Sequence, residues 1–139
     1  MAWKDRGAGH LLAAALLCAP AAAGAQDRAS EGNSSPAYKA CMDKSGGVTV
    51  AMLDCGNAEY VRLDAALNAA YRAATNGLEP AQRNLLRDAQ RAWLAYRDSS
   101  CSFMSRLGDR GGAAALAAQS CLMQVTAERT RWLKDIAPL

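Results

Sequence analysis

Histidine is almost missing from this chain: the single one, His10, falls within the first ten residues. The remainder therefore lacks the commonest general base and metal ligand. There is no C-x-x-C pair, no phosphate-binding glycine loop and no Ser-His-Asp set. Zinc ligation and the usual nucleophilic chemistries are left without their residues. Long apolar runs are missing too, since Leu11 to Leu17 falls well short of the roughly 20 residues that span a bilayer. β-Branched residues are few and no segment alternates with period two, which argues against a strand-rich fold. The formal net charge is +3, with the arginines spread among acids, unlike the concentrated basic face of a nucleic-acid binder.

What is present begins with an export pattern. Lys4 and Arg6 precede the apolar run, and Ala23-Gly24-Ala25 supplies small residues before Gln26. Residues 1–25 read as a signal peptide, which implies a periplasmic or secreted protein with no membrane attachment after cleavage. Cys18 follows Ala15, Leu16 and Leu17, a poor lipoprotein cleavage site, and is expected to leave with the signal. Cys41, Cys55, Cys101 and Cys121 then remain. An even number of cysteines in an oxidising compartment predicts two disulfides. Residues 26–36 are rich in Ser, Asn, Gly and charge and read as a flexible linker, so the folded domain is expected over 37–139.

Periodicity and breakers predict the helices. A short one covers residues 37–44 and stops at Ser45-Gly46-Gly47. Thr49 is a candidate N-cap for a second helix to about residue 76, with Leu53, Tyr60, Leu63, Leu67, Tyr71 and Ala74 on one face. Asn76-Gly77 ends it, and Pro80 suits the first position of a third helix to about residue 107. Leu86, Ala89, Trp93, Tyr96, Ser100, Phe103 and Leu107 form its expected inner side. The fourth runs from Ala113 to about Ile136, with Leu116, Met123, Thr126, Thr130 and Leu133 inward and Trp132 at an edge. The expected fold is all-α: a small antiparallel bundle of three long helices plus one short N-terminal helix. Folding about the short connections brings cysteines at matched distances together, predicting Cys41–Cys55 and Cys101–Cys121. Each bridge is worth about 3 kcal/mol in the chain-entropy model.

Polar residues recur at helical spacing. Asp64, Asn68 and Tyr71 share a face, as do Gln90, Trp93 and Arg97, and Arg129 lies on the fourth helix. They could line a polar binding cleft. They read more readily as a network inside the bundle, Arg97 bonding Asp64 or a helix-end carbonyl and Asn68 bonding Gln90, that fixes helix register. Glu59 with Asp64, or Glu79 with Asp88, could be offered as the carboxylate pair of a glycan hydrolase. Helix surfaces carry such acids routinely, and each lies near an arginine. A binding protein without metal or cofactor, and not an enzyme, is the expectation.

The order of these residues resembles a known family. Cys41, Met52-Leu53-Asp54-Cys55, Asp64-Ala65-Ala66-Leu67-Asn68-Ala69-Ala70-Tyr71, Ala89-Gln90-Arg91-Ala92-Trp93, Arg97-Asp98, Cys101, Cys121 and Thr126 to Arg129 are similar to the LprI family of lysozyme inhibitors. The resemblance runs from about Tyr38 to Leu133. It implies a small exported helical domain whose partner is a lysozyme, blocked by occlusion of its glycan-binding cleft. An alternative is a non-catalytic envelope protein that binds a cell-wall component or another periplasmic protein. The chain departs from the family's lipoprotein type in lacking a lipoprotein cleavage motif.

Overall fold

The computed structural model describes residues 34–107 and 111–137. The expected signal peptide (1–25) and most of the expected linker (26–36) lie outside the described residues. Four helices follow: α1 (Pro36–Lys44), α2 (Thr49–Thr75), α3 (Pro80–Met104) and α4 (Gly112–Asp135).

Local chemistry sets their ends. Ser35 caps α1 by accepting from the Tyr38 amide at 3.0 Å, and Pro36 takes the first turn. Ser35 and Pro36, placed in the linker from sequence, thus belong to the start of α1. Gly46 and Gly47 turn the chain with φ of +59° and +77°, where a side chain would be strained. The N-cap of α2 is Val48, without a side-chain bond, so Thr49 is the first helical residue rather than the cap. Glu79 and Gln82 form a reciprocal capping box ahead of Pro80. The α3 helix stops at Met104, three residues before Leu107.

Consecutive long helices alternate in direction, as expected for short connections. The closest packing, however, joins two that are not consecutive. α4 lies along α2, parallel to it, and also packs on α3; direct contact between α2 and α3 is slight. Glycine and alanine permit that approach. A Cβ added at Gly56 would fall 1.9 Å from the Gln119 side chain, and one at Gly112 would fall 2.5 Å from Thr49. Gln119 Nε2 donates to the Leu53 carbonyl (2.8 Å) and to Asn57 Oδ1 (2.9 Å), which fixes the α2–α4 register.

Leu67, Ala70, Ala74, Leu86 and Leu133 form the apolar core at the end of the bundle nearest the α2–α3 turn. Tyr71, Leu78 and Trp93 pack against it. The opposite end has little apolar volume and carries the bridges instead. Cys41–Cys55 ties α1 to α2 and Cys101–Cys121 ties α3 to α4, with Cα separations of 5.7 and 5.4 Å. Both pairings match the sequence expectation. Disulfides form and persist in oxidising compartments. No described helix is long and apolar enough to cross a membrane.

The inner face of α3 differs from expectation. Its buried residues are Leu86, Gln90, Arg97 and Cys101, whereas Ala89, Tyr96 and Phe103 face solvent. The true face is rotated by about one residue, or about 100°. Polar groups go inward because α2 and α4 supply partners for them.

Candidate functional site

Arg97 occupies the gap that α2 and α3 leave between them, one-tenth exposed. Its Nε donates to Asp98 Oδ1 at 2.8 Å, and Nη2 forms an ion pair with the same oxygen at 2.8 Å. Nη1 lies 4.0 Å from Asp64 Oδ1, an ion pair too long for a hydrogen bond. Nη1 is buried without a hydrogen-bond partner among the described residues. The guanidinium sits over two rings, Trp93 at 5.4 Å and Tyr60 at 5.9 Å. Burial raises the Tyr60 phenol above its usual range; the Arg97 charge pulls the other way.

Arg129 mirrors this arrangement from α4. Its Nε donates to Gln90 Oε1 at 2.9 Å. Its guanidinium lies 5.7 Å from the Trp93 ring and 4.0 Å from that of Trp132. Burial lowers its pKa. Trp93 is thereby flanked by two cations, and Tyr60, Arg97, Trp93, Arg129 and Trp132 form one ladder of alternating rings and guanidiniums across all three long helices.

Five of the seven candidate polar residues enter this ladder or its immediate partners: Asp64, Gln90, Trp93, Arg97 and Arg129. The expected Asn68–Gln90 bond is not made. Asn68 instead donates to Asp64 Oδ2 on its own helix at 3.0 Å, because it sits one turn further out on α2. Tyr71 packs against the apolar core rather than the polar groups. Sequence reasoning missed Tyr60, Asp98 and Trp132 as members. Their spacing carried a signal: Tyr60 precedes Asp64 by four residues, Asp98 follows Arg97, and Trp132 follows Arg129 by three.

A second polar site lies where the start of α1 meets α2. Glu59, 4% exposed, accepts from the Ser35 amide (2.9 Å) and hydroxyl (2.7 Å). It also accepts from Arg62 Nε (3.0 Å) and Nη2 (2.7 Å). These bonds, the Arg62 pair foremost, hold its pKa at about 2. A carboxylate so held stays ionised at neutral pH, so Glu59 is not suited to be the proton donor of a glycosidase. Glu79 is engaged in its capping box, and Asp88 pairs with Arg87 at 3.3 Å. Beside Glu59, a groove of about 370 Å³ has Leu63, Ala66, Ala127 and Thr130 in its wall and Arg131 and Lys134 among its lining.

With this geometry in view, the sequence model of the family described as Lysozyme inhibitor LprI matches residues 41–133. The chain belongs to the LprI lysozyme-inhibitor family. The matched stretch begins at the first bridging cysteine and ends at the fully buried Leu133, so it contains both disulfides and the whole ladder. An uncharacterized protein of Rhizobium meliloti (strain 1021) is 28% identical over 95 residues, covering 59% of this chain and 68% of that relative. No solved structure matches the chain. The family is named for inhibition, a binding role, and not for catalysis.

Proposed function

We propose that this LprI-family domain works outside the cytoplasm as a proteinaceous lysozyme inhibitor that covers the enzyme's glycan-binding cleft. Family membership over residues 41–133 carries this reading. The two disulfides support it, because they belong to an oxidising compartment and make a rigid scaffold. The outer end of the ladder offers a contact surface of suitable chemistry. Trp132 is 43% exposed and stacked on Arg129, and Trp and Arg dominate energetic hot spots of protein interfaces. A ring held in place by a guanidinium also loses little rotamer freedom on binding.

The test is turbidity of a cell-wall suspension with purified mature protein against several lysozyme types. Dose-dependent loss of lytic rate for at least one type is expected. Trp132→Ala should raise the half-inhibitory concentration by about tenfold or more, as for a hot-spot truncation. Full lytic rate at excess protein for every type would sink the proposal. Retention on isolated peptidoglycan without inhibition would support a cell-wall-binding role instead.

A further inference from the structure

The groove beside Glu59 is used by neither the apolar core nor the ladder. It encloses about 370 Å³ between α2, α4 and the stretch that leads into α1. Its floor is small and largely apolar: Leu63 and Ala66 from α2, Ala127 and Thr130 from α4. Leu63 and Ala127 are each 6% exposed, so the floor belongs to the packed interior. Arg131 and Lys134 also line the groove and are exposed. They lie three residues apart, and so on one face of α4. Neither has a hydrogen bond or an ion pair among the described residues. Arg62 is a third cation in the lining, but Glu59 matches its charge at 2.7 Å. No acidic residue lines the groove among the described residues. Two positive charges therefore border an apolar floor without a counter-charge. Ligand pockets of this size are built that way, with apolar walls and a few polar groups that fix orientation.

We propose that this groove binds the C-terminal carboxylate of a short peptide with small apolar side chains. Charge selects the anion, because a carboxylate beside Arg131 and Lys134 takes charge-assisted hydrogen bonds from both. The floor selects what the anion carries. Leu63, Ala66 and Ala127 reward a small apolar group and offer nothing to a second charge, which disfavours inorganic phosphate. Size limits the length. The volume of about 370 Å³ equals about a dozen waters at about 30 Å³ each, room for a terminal dipeptide and not for a long acyl tail. Two hydroxyls suit a peptide bond. Thr130 Oγ1 donates to the Thr126 carbonyl at 2.8 Å, which leaves its lone pairs to accept an amide N–H. The Ser34 hydroxyl, on the opposite wall, can donate or accept. A fatty or aromatic acid would leave both unmatched once water is displaced. This site does not rest on lysozyme inhibition: peptide binding can hold or fail whatever the lytic assay shows.

Acetyl-dialanine, in its L and D forms, titrated into the disulfide-intact protein beginning at Gln26 tests this by NMR amide shifts. Saturable shifts centred on Leu63, Ala66, Ala127 and Lys134 are expected with at least one form, at a millimolar or tighter Kd for so small a ligand. The C-terminal amide of the same peptide should bind about tenfold more weakly, since it lacks the charge. Arg131→Met and Lys134→Met, both at exposed positions, should each weaken the acid by about threefold to tenfold. Neither should change the affinity of the amide or the melting temperature. Ala66→Leu, which fills the groove, should abolish binding of both. Absence of shifts with either form, equal affinity for acid and amide, or shifts centred elsewhere overturns the proposal. Inorganic phosphate that binds there as tightly as the peptide overturns it too, and leaves a plain anion site. A protein beginning at Asn33 that binds when the one beginning at Gln26 does not also overturns it, and assigns the groove to the chain's own preceding residues.

Discussion

Glu59 shows how one side chain can tie two helices together. It holds Ser35, which caps α1, and Arg62, one turn along α2. Its folded pKa is about 2 against an ordinary 4.5. A depressed carboxylate pKa stabilises the fold above the unfolded value and gives that stability up as pH falls towards the folded one. The window for this loss is therefore pH 5 down to about pH 2, with a ceiling of about 3 kcal/mol at 1.36 kcal/mol per unit. Glu59→Gln should lower stability at pH 7 by about 1–3 kcal/mol. It should also flatten the decline between pH 5 and 3. Urea melts of both proteins at pH 7, 5 and 3 would show this; parallel pH curves for the two would contradict it. Arg97 is the other residue whose placement matters beyond its own contacts. Its stem and planar head fill the α2–α3 gap between Tyr60 and Trp93, space that an aliphatic residue would occupy in an ordinary bundle.

Among the three long helices, α3 is the least tightly integrated. It reaches α2 chiefly through the apolar cluster around Leu86 at its N-terminal half and through Arg97. Its C-terminal half is tied to α4 by Cys101–Cys121. The bridge closes a 20-residue separation and supplies about 3 kcal/mol in the chain-entropy model. Replacing both cysteines by serine should therefore cost about 3 kcal/mol by chemical denaturation. Hydrogen exchange should accelerate most over Ser99 to Met104 and least around Leu86. Uniform acceleration along α3 would mean that the helix depends on the bridge as a whole. The α2–α4 pair rests on other foundations: small residues, Gly56 beneath Gln119, and the Gln119 bonds to Leu53 and Asn57.

At the scale of the molecule, the charge is too even to steer the protein toward a basic enzyme. The formal net charge of the whole sequence is +3, and long-range attraction needs opposite signs. Inhibition of a basic lysozyme should therefore rest on short-range packing. Its half-inhibitory concentration should change by less than about threefold between low and physiological salt, where a steered complex would weaken far more. Turbidity assays across a salt series would measure it. A steep loss of inhibition with salt would point to a locally acidic contact surface instead of the Trp132 edge.

The sequence by itself determined the helices, the bridges and the family. The first three helices are bounded largely by residues that act on their nearest neighbours: Pro36 and Pro80 at first turns, and Gly46, Gly47 and Gly77 at positive φ. The disulfide pairing was legible because short turns force consecutive helices to fold back at matched distances. Only the tertiary structure decided which side of α3 faces inward. Hydrophobicity along one helix favours Ala89, Tyr96 and Phe103. Burial went to Gln90 and Arg97 because their partners, Arg129 on α4 and Asp64 with Tyr60 on α2, lie about 30 to 40 residues away in sequence. The same holds for α4 beside α2, where closeness comes from the missing side chain of Gly56 and from Gln119 above it. A periodic pattern records what a residue avoids in water; it does not record which distant group will satisfy a guanidinium once the water is gone.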